Sequence, residues 1–161
     1  MLIFAATGPK GISINHLKRN KMNVLNFVFP KKEENAKVSA LLLAARVVFG
    51  LLLASHGWQK LAGFSAMATQ FPDPLGIGSE LSLGMAVFGE LVCSVAFIFG
   101  FLTRLAVIPM IFTMIVAFVI VHGGSIAEGE LAFLYLVVFI LLFLAGPGRY
   151  SVDKFIAGKI Y

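Results

Sequence analysis

Two opposite charges stand inside stretches of sequence that are otherwise apolar. Arg46 lies eight residues into a run that begins near Val38, and Glu90 lies nine residues into one that begins near Leu81. If both runs are helices that cross a membrane in opposite senses, a rise of 1.5 Å per residue puts these residues about 12 and 14 Å from opposite faces. Across a hydrocarbon core of about 30 Å they then stand at nearly the same depth. A lone charge at the centre of such a helix costs about 2.5–3.5 kcal/mol on insertion, so both are expected to face the protein interior and to pair with each other. The pair would be either a clamp between helices or a polar centre that binds a headgroup or carries protons.

Arg46, Phe49, Leu53, His56 and Lys60 follow one another at spacings of three or four, which lines them along one helix face from mid-membrane to the far surface. His122 closes a later apolar run at that same surface, and Glu128 and Glu130 open the next. Arg46, His56, Lys60, Glu90, His122 and Glu130 are therefore the candidate polar centre, with the last few ringing the mouth of a cavity. Residues at a membrane boundary are also commonly just hydrated there. Two histidines and a glutamate could hold a metal, but they lack local ligand spacing such as HExxH, and no metal is expected. Nucleotide loops, nucleophile elbows and haem-attachment motifs are absent from the chain, and no tightly bound cofactor is evident. The single cysteine, Cys93, excludes two-thiol chemistry within one chain.

The elements that must position these residues follow from composition. Of 161 residues, 59% are hydrophobic and 13% are charged, where a soluble domain carries about 25% charged residues. The apolar residues come in blocks without a polar face, as in a lipid-embedded chain. Four blocks approach the length of about 20 residues needed for a span: 38–57, 81–102, 105–121 and 131–146. The expected fold is all-α, a polytopic membrane protein with a four-helix transmembrane bundle, because helices satisfy their own backbone hydrogen bonds in lipid. Ser82, Ala86, Gly89, Cys93, Ala96 and Gly100 form a small-residue seam on the second span, where neighbouring backbones approach closely. Cys93 then reads as a small packing residue. Pro109 inside the third span is an ordinary membrane proline with a kink.

Residues 1–37 form a basic arm with seven Lys and Arg against two Glu, which accounts for the whole net charge of +5. Such an arm beside a span suits a cytoplasmic flank near anionic lipid, and it lacks the aromatic interleaving of a nucleic-acid binder. Met22 precedes a more ordinary beginning, so residues 1–21 are a candidate upstream start. Arg104 after the second span, and Arg149, Lys154 and Lys159 in the tail 147–161, share the arm's side. The positive-inside rule puts both termini in the cytoplasm.

Taken together, several of these residues resemble the DoxX family of small four-helix bacterial membrane proteins. The matching pieces are Arg46-Val-Val-Phe-Gly50, His56-Gly57-Trp58-Gln59-Lys60-Leu61, Gly89-Glu90, Gly100-Phe-Leu-Thr-Arg104-Leu-Ala106, Glu130, and Gly146-Pro-Gly-Arg-Tyr150-Ser-Val-Asp153. They occur in order between about Leu42 and Ile156. The resemblance implies a bacterial inner-membrane protein linked to redox metabolism, since the family is named for a subunit of a thiosulfate:quinone oxidoreductase. It places Arg46, His56, Lys60, Glu90 and Arg104 on the family's polar positions, and Arg104, Arg149, Tyr150 and Asp153 in a cytoplasmic motif.

The leading functional expectation is a quinone-interacting protein or the membrane subunit of a redox system, with a soluble redox partner or a second copy as partner besides the bilayer. Arg46 and His56 would donate to quinone carbonyls and Glu90 would move a proton. Two other readings stand beside it, a small-molecule permease or binding protein and a scaffold that recruits a soluble enzyme. Topology is directly testable. A reporter active only in the cytoplasm should work when fused after Tyr161, and one active only outside should work near Gly76; the reverse at both sites inverts the orientation.

Overall fold

The computed structural model describes residues 26–29 and 35–160. Most of the basic arm, and the question of a start at Met22, lie outside the described residues. Four helices are long and apolar enough to cross a membrane: α1 (Ala36–Ala62), α2 (Ser79–Phe99), α3 (Thr103–Val121) and α4 (Ile126–Ala145). A fifth, α5 (Val152–Ile160), follows them. The chain is thus an all-helical four-span membrane protein among the described residues. Each span runs antiparallel to the next, so one end of the bundle carries the start of α1 and α5, and the other carries the loop after α1 and the turn after α3.

The observed spans depart from the expected ones at places with identifiable causes. α1 runs on to Ala62, past Gly57, because Trp58 to Leu61 keep helical geometry although they are polar in part. α2 stops at Phe99, earlier than Leu102, since Gly100 turns left-handed at φ 69° and Leu102 repeats the turn at φ 46°. Leu102 has a Cβ, so this conformation is unfavourable unless its surroundings hold it. α4 begins at Ile126, so Glu128 and Glu130 sit in its first turns. Gly123 and Gly124, at φ 58° and 74°, make the reversal that lets it start so soon.

Small residues set how closely α1 and α2 approach. On α1 the buried face is Ser39, Arg46, Gly50, Leu53 and Gly57. A Cβ at Gly57 would stand 2.6 Å from the backbone N of Leu91 and 2.8 Å from the carbonyl carbon of Glu90, so two backbones touch there. On α2 Ser82, Gly89 and Cys93, and Gly100 just after its end, are buried as the small-residue seam requires, while Ala86 and Ala96 are half-buried. Gly89 packs on Thr113 and on the Pro109 carbonyl of α3. Cys93 joins Leu53, Phe97, Val107, Met110, Tyr135 and Phe139 in the core between the helices.

Both α2 and α3 contain a π-helical turn, at Phe88–Val92 and Val116–Val121. In the first the Cys93 N–H donates to the Phe88 carbonyl, five residues back. Such a turn inserts an extra residue into the helical register and re-aims side chains, which is why π-turns recur at functional sites. Glu90 lies in its middle.

Gly57→Ala should lower thermal stability by about 1–3 kcal/mol, the cost of overpacking, because its neighbour is backbone and has no room to give. Gly84→Ala, with nothing within 4 Å of its Cβ position, should be neutral or stabilising. Thermal unfolding in detergent of the two variants checks this, and equal melting points would contradict the close approach.

Candidate functional site

Direction along the helices decides which charges meet. Helical side chains lean toward the N-terminus of their own helix. Lys60, near the loop end of α1, therefore leans back into the membrane, while Glu90 on the antiparallel α2 leans toward the loop end. They converge: the Lys60 ammonium donates to Glu90 Oε2 as an ion pair. Glu90 is 5% exposed, and its depth, eleven residues after Ser79, is about halfway across the span.

Arg46 leans the other way and does not pair with Glu90. Its side chain is buried at the α5 end, where Nη2 donates to the Tyr150 carbonyl, and the guanidinium lies over Gly100, whose missing side chain leaves it room. Asp153 is the negative charge that faces it. The expected Arg46–Glu90 pair is replaced by two polar clusters at different depths, because similar Cα depth does not bring together side chains that lean apart.

The cluster at the α5 end is a latch. Asp153, fully buried, accepts from the backbone N–H groups of Leu102 (2.7 Å) and Thr103 (2.8 Å) and from the Thr103 hydroxyl (2.7 Å). It thereby caps α3 from a distance of fifty residues in sequence and holds the left-handed Leu102. Nearby, the Arg149 N–H donates to Ser39 Oγ (3.2 Å), and Arg104 donates to the Phe27 carbonyl (2.6 Å) with its guanidinium 4.7 Å from the Phe27 ring centre. Arg104, Arg149, Tyr150 and Asp153 thus gather around one end of the bundle, where they act as structural ties.

Lys60 and Glu90 belong to the wall of a groove of about 710 Å³ between α2 and α3. Its other walls are apolar, with Phe88, Ile108, Phe112 and Val116 along the helices and Phe71, Leu75 and Ile77 from the loop above. Phe88 and Phe112 are 52% and 45% exposed on the surface that meets lipid, so the groove opens sideways into the bilayer. Thr113 adds a hydroxyl that bonds its own helix at the Pro109 carbonyl (2.9 Å). Asp73 pins the loop: it accepts from the N–H groups of Gly78 (2.8 Å) and Ile77 (3.0 Å) and from the Ser82 hydroxyl (2.8 Å). The Gly78 bond first, then that from Ser82, holds the Asp73 carboxyl below the usual carboxylate range.

His56, His122 and Glu130 do not line this groove. His56 packs its ring edge-on against Tyr135 of α4, with centroids 6.3 Å apart. His122 lies half-buried against Gly129, and Glu130 is exposed. The expected ring of His56, Lys60, His122 and Glu130 around one mouth is therefore not formed, because α1 turns His56 toward α4 and Lys60 toward α2. Among the described residues no cluster of three His, Cys, Asp or Glu could hold a metal. Tyr135, 3% exposed, belongs to the core beside the His56 ring and does not line the groove; what the sequence reading missed is that Lys60 is the partner of Glu90. The available signal was the lean of helical side chains toward their own N-terminus, which brings Lys60 and Glu90 together from antiparallel helices.

These features define a class, a four-span membrane protein with a side groove lined in part by an ion pair of a half-buried lysine and a buried glutamate. The sequence profile of the DoxX family matches residues 41–123, and the chain belongs to that family. It is 30% identical to inner membrane protein YqjF of Escherichia coli (strain K12) over 73% of this chain and 92% of that protein. It is also 29% identical to the uncharacterized membrane protein Rv3486 of Mycobacterium tuberculosis, over 70% of this chain and 78% of that one. No solved structure gives a significant match.

The ion pair is testable by a double-mutant cycle. Glu90→Gln should strand the Lys60 charge and Lys60→Met the buried Glu90 charge, with Lys60→Met costing about 3 kcal/mol or more. The double variant should recover at least about 1 kcal/mol relative to the sum. Additive losses in thermal stability would show that the two charges do not interact.

Proposed function

We propose that this protein takes up a quinone from the bilayer through the groove between α2 and α3 and serves as the membrane subunit of a redox system. The observation that carries this reading is the Lys60–Glu90 pair, whose carboxylate stands in the π-turn of α2 and whose ammonium comes from α1, at one wall of an otherwise apolar groove open to lipid. A prenyl tail suits walls such as Phe88, Ile108 and Phe112, and a ring with polar carbonyls suits a single ammonium and carboxylate. Lys60 would donate a hydrogen bond to one carbonyl oxygen. Glu90 would hold or deliver a proton as the ring is reduced, a step in which two electrons and two protons are taken up. The electrons would come from a soluble redox partner. Arg46 and His56, the donors expected from the sequence, stand outside this reading because neither lines the groove. A permease for polar solutes is less favoured, since the groove opens to lipid and has few polar groups in its walls.

The similarity to an inner membrane protein and the basic α5 end support placement in a bacterial inner membrane with the α5 end in the cytoplasm. Purified protein should bind a short-chain ubiquinone analogue, and both Lys60→Met and Glu90→Gln should weaken binding by about tenfold, the equivalent of one lost charge-assisted hydrogen bond. His56→Ala should leave it unchanged. Equal binding in all variants, or none to any quinone, overturns the proposal.

A further inference from the structure

The short helix α5 has two unlike sides. Asp153 and Ala157, one turn apart, are buried against the bundle. The opposite side presents Phe155, 66% exposed, with the Lys159 ammonium 4.5 Å from its ring centre. Arg149 and Tyr150, just before the helix, are exposed as well.

The depth of this helix in the membrane is set by its ties to α2 and α3. Besides the three bonds to the Asp153 carboxylate, the Asp153 N–H donates to the Gly100 carbonyl (2.9 Å). Gly100 follows the last residue of α2 and Thr103 begins α3. The helix is therefore held level with the ends of two spans, where hydrocarbon gives way to headgroups. An exposed phenylalanine at that level faces acyl chains, and lysines beside it reach outward to phosphate.

Charge at this end is one-sided. Among the described residues it carries Lys37, Arg104, Arg149, Lys154 and Lys159, while its carboxylate, Asp153, is buried and occupied by α3. The exposed carboxylates Asp73, Glu80, Glu128 and Glu130 all lie at the loop end.

We propose that α5 is an interfacial helix that seats Phe155 among acyl chains and binds anionic phospholipid headgroups through Arg149 and Lys159. An acidic protein could match the cations, but the exposed Phe155 beside them and the ties of α5 to the ends of two spans favour a lipid surface.

The test is amide hydrogen exchange on the full-length protein in nanodiscs of phosphatidylcholine, with and without phosphatidylglycerol. The anionic lipid should slow exchange across residues 152–160 by about fivefold for each of the two cations, with α1 to α4 unaffected. Arg149→Gln with Lys159→Gln should erase that lipid dependence, and Phe155→Ser should raise exchange in both lipids. If the double variant does not express, the wild-type comparison between lipids decides alone. Exchange insensitive to lipid charge, or slowed only on addition of soluble protein, overturns the proposal.

Discussion

A charge in hydrocarbon must find a counter-charge, and in this protein that requirement is met by Lys60 and Glu90. Other features of the membrane half near the loop end accommodate the pair. Gly57 lets α1 lie against the backbone at Glu90 and Leu91, so that Lys60, one turn further on, can reach across. The π-turn from Phe88 to Val92 alters the register there, and Gly89 within it lets α3 close on the other side through Thr113 and Pro109. α2 and α3 touch at these small residues, and Phe88, Ile108 and Phe112 line the groove beside that contact.

The opposite end is held by a different device. Asp153 caps α3, faces Arg46, and so connects the first span, the turn between the second and third, and the last helix. Arg46 has one acceptor, the Tyr150 carbonyl, and a negative neighbour in Asp153, while its Nε and Nη1 are buried without a hydrogen-bond partner. The aromatic residues Tyr135, Phe139 and Phe97 pack ring against ring in the apolar core shared by the helices, Tyr135 stacked on Phe139 and Phe97 edge-on to it. The two polar clusters differ in setting: one faces the groove, and the other ties helix ends together.

Membership in the DoxX family agrees with this division, since the matched region, residues 41–123, contains α1 almost entirely, all of α2 and α3, and both walls of the groove. The latch lies partly beyond that region, on α5. Family membership establishes the kind of membrane protein; the chemistry in the groove is argued from Lys60, Glu90 and the apolar walls alone.

Hydropathy and length by themselves determined that the chain is a four-helix membrane protein, because a bilayer core of about 30 Å imposes a fixed number of apolar residues per span. The small-residue seam of α2 was legible for the same reason, as helical periodicity places its members on one face whatever the neighbours are. Only the tertiary structure decided which charges meet. Sequence position gives the depth of a Cα, but Arg46, Lys60 and Glu90 extend several ångströms from theirs, in directions set by the polarity of each helix. Rotation added to this, since the π-turn at Glu90 and the orientation of α1 sent His56 to Tyr135 and Lys60 to Glu90. The cap that Asp153 provides to Thr103 joins residues fifty apart, and no local pattern could have marked it; it exists because the chain returns to the same end of the bundle after α4.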